Sequence, residues 1–426
     1  MSNYPFPYGD GTVYLPVDDS CVIGELYGND IPPLTQIKEA LYQTLAEPID
    51  ALPLTQQIRP DSRVVLIVSD MSRFWMRQDL VIPHIVDYLE TCCHLPLSQL
   101  TIVVANGTHV GGTEQELRRL VTDAVYDKVT VLNHDCMAPD LVYLGTTSYG
   151  TPVKVNATAA QADLCICLGA ATYHVMAGFG GGRKSILPGI SSNETIQRNH
   201  ALSLDPTELK PHPLIGNGKL KDNPLHLDMC EAAGMMKHLF MINLVVNAQE
   251  QLCAIFSGHY LHSWERACQE VERVYQVPVR EKADVVIAGC GGYPRDMSLY
   301  QGTKGIDNVE SGLKEGGTLI LVIEARDGGG PAEYFDWSRN WQDGTLEKRL
   351  REHFTVAGYI FFLNCDQARR YRIMMLSSID PDLVRPMGIE AYSNVEDLMA
   401  AAQLEGKSIY IIPNGGTVVP RVKEGS

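Results

Sequence analysis

Positive charge is scarce in this chain. It carries 35 Lys and Arg against 51 Asp and Glu, a formal net charge of −16. Nucleic acids and anionic membrane surfaces call for a basic face, so neither is an expected partner. A small anionic substrate needs only a few local cations and stays open. Long apolar runs are also missing. The longest, such as Val64–Val68 and Leu319–Ile323, fall far short of the roughly 20 residues of a membrane-spanning helix. The opening residues, MSNYPFPYGDGTVYLP, lack a basic stretch leading into an apolar core. No export signal is read there, and a cytoplasmic location is expected. No CxxC pair occurs among the 11 Cys, which argues against a zinc ribbon. The odd count, adjacent Cys92–Cys93 and Cys165-x-Cys167 inside an apparent strand argue against a disulfide framework. Buried, reduced thiols are expected instead.

What is present is ordinary globular material, 45% hydrophobic and 20% charged. That composition excludes wholesale disorder, collagen and coiled coil. The 426 residues suffice for two or three domains at about 150 residues each. One pattern dominates: a short apolar run, a polar loop, then a helix. The runs include Arg63–Ser69, Leu100–Ala105, Lys128–Leu132, Asp163–Leu168, Asp284–Ala288, Thr318–Ile323, Tyr371–Leu376 and Ser408–Ile412. Continuous Val/Ile/Leu runs indicate strands buried on both faces, hence mainly parallel sheets covered by helices. Alternation with helices gives the α/β class. Thr113-x-x-Glu116 and Ser393-x-x-Glu396 are expected to cap helices. The charged amphipathic stretch Tyr260–Tyr275 precedes Pro278 and a fresh strand–loop–helix series. Two α/β domains are therefore expected, 1–275 and 276–426, with the active site in the cleft between them.

In open α/β sheets, ligands sit beyond the carboxyl ends of the strands. That rule selects the loops Asp70–Trp75, Asn106–Gly112, Ala170–Ser185, Gly289–Gln301 and Ala325–Gly330. The richest reads Gly169-Ala-Ala-Thr-Tyr-His-Val-Met-Ala-Gly-Phe-Gly-Gly-Gly-Arg-Lys-Ser185. Its glycines Gly178, Gly180, Gly181 and Gly182 would let backbone approach a ligand and cradle an anion. It nearly spells a P-loop, but Arg183 stands where that motif needs glycine. On composition alone, Lys184 is a phosphate contact, a covalent anchor or a solvated side chain. His109, His134, His174 and His200 fall in or near strand-end loops, without HExxH-type spacing. Such a set suits a metal site or an acid/base pair. Asp70 and Arg73 form a surface ion pair or, in a cleft, Arg73 grips a carboxylate or phosphate. Tyr300-Gln-Gly-Thr-Lys304 could bind a substrate carboxylate or lie on a helix surface.

These fragments together resemble the nickel-dependent lactate racemase family. They are Asp70-x-Ser-Arg73, Gly107-Thr-His109, His174 with the glycine loop, and Gly182-Arg-Lys-Ser-Ile-Leu-Pro-Gly189. Thr195-Ile-x-x-Asn-His200, Gly292-Tyr-Pro-x-Asp296 and Tyr300-Gln-x-x-Lys304 follow in order. The resemblance implies a racemase or epimerase acting at C2 of a 2-hydroxy acid. It would work by proton-coupled hydride transfer to a nickel pincer nucleotide, a pyridinium mononucleotide with two sulfur-containing arms. By motif, that cofactor is joined as a thioamide to Lys184, with Asp70 and Gly180–Gly182 as cofactor contacts. His200 is the protein's nickel ligand, and His109 and His174 are acid and base. Arg73, Tyr300, Gln301 and Lys304 are substrate contacts. Cofactor-synthesis enzymes are implied partners.

Two departures bear on the substrate. Many members continue the first motif as Thr-Arg-Pro, where this chain has Ser72-Arg73-Phe74-Trp75. Many carry Gly-x-His-Lys-Ala in the second domain, where the nearest counterpart is Gly358-Tyr-Ile-Phe-Phe362. Phe74 and Trp75 would reshape the pocket or simply pack, and a longer or polyhydroxylated acid becomes an expected substrate beside lactate. The alternatives are a pyridoxal-phosphate enzyme with a Schiff base on Lys184, a zinc hydrolase built on His109, His174 and His200, and a non-catalytic binding protein for an anionic metabolite.

Overall fold

A computed structural model describes residues 1–423, and Lys304 in its backbone alone. The chain forms two compact units, both α/β. One comprises Asp30–Ser203 and Leu214–Val274; the other comprises Met1–Asn29, Leu204–Pro213 and Tyr275–Ser426. The break at residue 275 expected from sequence is thus one of several chain passages. The first 29 residues pack with the later part of the chain.

The unit containing residue 100 is built on a six-stranded sheet. Its strand order is Leu252–Gly258, Leu239–Val246, Leu164–Ala170, Val64–Ser69, Leu100–Ala105, Thr130–Asn133. All neighbours pair in parallel except the edge strand Leu252–Gly258. Every residue of Leu164–Ala170 is buried, as a strand covered on both faces must be. Each fully buried Leu, Ile or Val there contributes about 1.5–3 kcal/mol. Leu66, Val68, Ile102, Val104, Ile166 and Leu168 join Ile82, Ile85 and Leu89 of the helix Ile82–Thr91 in one core.

Sequence order within this sheet locates the site. The chain lays Val64–Ser69, then steps outward through Leu100–Ala105 to Thr130–Asn133. It returns to the other side of Val64–Ser69 with Leu164–Ala170. The order reverses between those two adjacent strands, so their following loops diverge and leave a crevice. Those loops begin with Asp70 and Ala171.

The other unit carries a wholly parallel six-stranded sheet. Its order is Ile389–Tyr392, Arg372–Leu376, Leu313–Val322, Ala283–Gly289, Ile409–Ile412, Val22–Glu25. The hairpin Ser2–Tyr8 with Gly11–Val17 lays Phe6 and Leu15 on the core of this sheet. Among the described residues no helix is long and apolar enough to cross a membrane.

Local signals fare unevenly. Thr113 and Glu116 form the expected capping box on the helix Glu114–Val121. The later helix, Val395–Ala402, is capped by Asn394, whose side chain accepts from the Asp397 N–H, rather than by Ser393. Either residue type can accept that bond; the chain turns one position later than the S-x-x-E pattern suggests. The amphipathic stretch at 260 becomes helical at His262.

Candidate active site

Asp70 ends the strand Val64–Ser69, and its position is fixed by a buried amide. Gln78 Nε2 donates to Ser69 O at 2.8 Å, and Gln78 Oε1 accepts from the Ser69 N–H at 3.2 Å. The Asp70 carboxylate accepts from Ser72 Oγ and meets His109 Nδ1, each at 2.5 Å. Burial pushes the Asp70 carboxyl up, but the hydrogen bonds from His109 and Ser72 outweigh it and hold it below the usual range. His109 reaches Asp70 from the loop after Leu100–Ala105. Gly107 in that loop adopts φ +55° and donates its N–H to Gly189 O at 2.9 Å, tying the His109 loop to the Lys184 segment. A cavity of about 430 Å³ lies beside this pair, lined by Asp70, Ser72, Asn106, His109, Thr113 and Glu116 among others. His174, Lys184 and His200 do not line it.

The loop after Leu164–Ala170 brings His174 and Lys184 together. His174 Nε2 stands 2.9 Å from Lys184 Nζ, while the backbone N–H groups of Met176 and Ala177 both donate to His174 Nδ1 at 3.1 Å. Burial, then the charges of Arg183 and Arg73, push the Lys184 ammonium well below its ordinary value. Burial and the Lys184 charge do the same to His174. Lys184 is therefore suited to be a neutral amine, the nucleophilic form.

His200 lies near the end of the helix Asn193–Ala201, whose start is capped by Ser192. The neighbouring Asn199 donates to Asp228 Oδ2 at 2.8 Å and to Leu225 O at 3.1 Å, which anchors this last turn. His200 is 6% exposed, and its Nδ1–H donates to Ile196 O at 3.0 Å. That bond places the ring proton on Nδ1 and the lone pair on Nε2, the tautomer of a ligating imidazole. Among the described residues, no three His, Cys, Asp or Glu side chains converge as metal ligands. A three-ligand zinc site on His109, His174 and His200 therefore lacks its geometry. A metal held by His200 would take its other donors from a second group, as a sulfur-bearing cofactor provides.

Arg183, read from sequence only as a misfit in a P-loop, is the best-packed cation of the unit. It is fully buried, stacks on Trp264 with Cζ 3.9 Å from the ring centroid, and donates to Ala177 O, Phe179 O and His226 Nδ1. It thereby holds the glycine loop by its carbonyls. Burial pushes Arg183 down to about 10. Its signal in the sequence was present but uninterpretable, because the partners are backbone carbonyls and an aromatic face.

The glycines have a packing reason. A Cβ on Gly182 (φ +54°) would sit 2.5 Å from the Trp264 ring, and one on Gly181 (φ +68°) 2.7 Å from Ala170 O. Gly178 is similarly closed by Lys219 O at 2.6 Å, and Gly180 faces Thr172 at 3.2 Å. Protein neighbours alone thus require glycine at 178, 181 and 182, and glycine there is not by itself a sign of a phosphate. Gly182→Ala is expected to cost about 1–3 kcal/mol from overpacking, with backbone strain added, read as a lowered urea midpoint.

Arg73 is exposed, and its Nη1 donates to Ser72 Oγ at 3.1 Å. Phe74 and Trp75 pack against the core of their unit, and Arg119 covers Phe74 with Cζ 4.5 Å from the ring. In the other unit, Gly358–Phe362 is buried within the helix Val356–Arg370, with Gly358 against Trp337. At both departures from the family pattern the residues thus have packing partners within their own unit. Tyr300 and Gln301 lie on the short helix Leu299–Gly302, with Tyr300 edge-on to Tyr334 at 6.4 Å and Gln301 exposed. The side chain of Lys304 lies outside the described residues.

Burial also makes the unit acid-sensitive. His200 and His226 are each pushed down to about 3 from 6.5, first by burial and then by the charge of Lys184 or Arg183 respectively. The unfolded chain therefore binds more protons than the folded one between those values, and stability falls as pH drops through that window. Each group contributes up to about 1.4 kcal/mol per pH unit. The urea midpoint of the unloaded chain is expected to be lower at about pH 5.5 than at about pH 7.5.

Comparisons with known proteins bear on the chain as a whole. Residues 8–210 match the lactate racemase N-terminal domain and residues 279–420 the lactate racemase C-terminal domain. The lactate racemase of Lactiplantibacillus plantarum is 29% identical over 429 residues, covering 97% of this chain and 98% of that protein. That of Thermoanaerobacterium thermosaccharolyticum is 30% identical over 346 residues, covering 80% of this chain and 79% of its own. The structure of a lactate racemase apoprotein from Thermoanaerobacterium thermosaccharolyticum superposes with a TM-score of 0.87 at 26% identity, over 99% of this chain and 100% of that one.

Proposed function

Since the chain belongs to the lactate racemase family and is an isomerase, we propose that it inverts C2 of a small 2-hydroxy acid using a nickel pincer nucleotide tethered to Lys184. The observation that carries this reading is the Lys184 amine, held 2.9 Å from His174 and driven toward its neutral form by burial. Such an amine can form an amide-type bond, which a solvated ammonium cannot. His200, held toward its neutral form by burial and carrying its lone pair on Nε2, would be the protein's nickel ligand. When bound, the group would supply reversible acceptance of a hydrogen with its electron pair.

The chain's own residues then divide the remaining work. His109 and His174 serve as the acid/base pair for the substrate hydroxyl. Asp70 is a proposed cofactor contact and touches His109 directly. Arg73, exposed and cationic, is suited to a substrate carboxylate, and Tyr300, Gln301 and Lys304 are proposed for the same substrate by motif. Gly180–Gly182 are proposed cofactor contacts through their backbone alone. Lactate, the substrate in the names of the relatives, is the first acid to test, with longer 2-hydroxy acids beside it.

The test is to produce the chain together with cofactor-synthesis enzymes and measure intact mass, metal content and chiral conversion of lactate. A covalent mass increment on Lys184, nickel near one per chain and interconversion of the enantiomers are expected. Absorbance of a pyridoxal Schiff base with no nickel, or zinc without any increment, would overturn the reading. Binding of a 2-hydroxy acid by fully loaded protein without conversion would do the same.

A further inference from the structure

We propose that His109 and His174 are preset in opposite tautomers: His109 is a proton acceptor at Nε2, His174 is a hydrogen-bond donor at Nε2, and Asp70 is the positioning residue that fixes the first. The catalytic meaning of this assignment rests on the racemase reading; the geometry behind it does not.

Two independent contacts decide the matter. A carboxylate only accepts hydrogen bonds. Asp70 already accepts from Ser72 Oγ on Oδ1, and its Oδ2 faces His109 Nδ1 at 2.5 Å. The proton of that contact therefore belongs to Nδ1, and the His109 lone pair is left on Nε2. At His174 the partners are of the opposite kind. Backbone N–H groups only donate, and those of Met176 and Ala177 both point at Nδ1 from 3.1 Å. The lone pair must be on Nδ1 and, in the neutral ring, the proton on Nε2. That N–H faces Lys184 Nζ at 2.9 Å, which can accept it only as a free amine.

The two rings are consequently not interchangeable. For His174 to accept a proton at Nε2, its own proton would have to move to Nδ1 and displace both amide donors. Each such lost hydrogen bond leaves a donor to be satisfied elsewhere. His109 meets no such obstacle. When the substrate O–H bond breaks, its proton passes to His109 Nε2, the electron pair stays on oxygen, and the imidazolium formed lies against the Asp70 carboxylate. His174 enters as the donor of the pair and takes up a proton at Nε2 only after its tautomer changes.

Imidazole nitrogen NMR reads this directly, on the unloaded full-length chain labelled with ¹⁵N-histidine at neutral pH. His109→Gln and His174→Gln identify the two sets of signals. The expected result is a protonated Nδ1 for His109 and a protonated Nε2 for His174. Asp70→Asn should shift His109 toward the other tautomer and leave His174 as it was. Finding both rings in the same tautomer in the wild-type chain would overturn the proposal, whether or not the variant folds. An unchanged His109 pattern in folded Asp70→Asn would remove Asp70 from its positioning role. Because these signals need no turnover, they stand or fall separately from chiral conversion by the loaded enzyme.

Discussion

Lys184→Ala, made alongside the cofactor-synthesis enzymes, is expected to show no covalent mass increment and no racemisation above that of the unloaded protein. The size of this effect follows from chemistry rather than stability. Lys184 contributes the one nitrogen through which an amide-type tether would form, and its loss removes the attachment rather than weakening it. Lys184→Arg should fail equally, since a guanidinium stays protonated even in a buried setting and is a poor nucleophile. Both variants should keep the fold, because the loop is gripped by Arg183 through Ala177 O and Phe179 O rather than by Lys184. His200→Ala gives the complementary result: nickel lost, with the organic increment retained. Intact mass and metal analysis on the same preparations separate the two steps. A full increment on Lys184→Ala would end the assignment.

The layout of the fold was legible because burial on both faces writes itself into a strand as an uninterrupted apolar run. Leu164–Ala170 and Ile409–Ile412 are of this kind. Leu239–Val246 carries a weaker form of the same signal, interrupted by Asn243 and buried from Phe240 onward. The hairpin Ser2–Val17 was hidden for a better reason. Pro5, Pro7 and Pro16 weaken any strand reading, and a hairpin standing outside the large sheets tolerates them because few ladder bonds are lost. The helix cap at Asn394 shows the usual limit of local pattern, an error of one position.

At the site, the strand-end rule selected the loops that carry Asp70, His109, His174 and Lys184, but the contacts of several residues were set by partners distant in sequence. Asp70 and His109 are 39 residues apart and meet at 2.5 Å. Nothing in either motif announces that contact. Gly182 was read as backbone open to a ligand, and Trp264, 82 residues further on, also fills the space a side chain there would need. Phe74 and Trp75 could be read as reshaping a pocket or as packing, and their neighbours show them half-buried against the core of their unit. In each case the residue type was informative, and its neighbour decided the role.

The second large effect is expected from His109→Gln. Glutamine can keep a hydrogen bond to Asp70 but cannot take up a proton, so the variant should retain the mass increment and nickel while losing about 10²–10⁴-fold in turnover, the usual range for a general acid–base group. The loss should appear for both enantiomers, because a racemase that cannot move the hydroxyl proton in one direction cannot complete the cycle in the other. Folding should be little affected: the His109 side chain is 54% exposed, and only its Asp70 contact is given up or replaced. Chiral chromatography of reactions started from each pure enantiomer measures the effect, with KM and kcat taken separately. A change confined to KM would place His109 in binding alone. Turnover within a few-fold of wild type for either enantiomer would take the proton-transfer role away from His109.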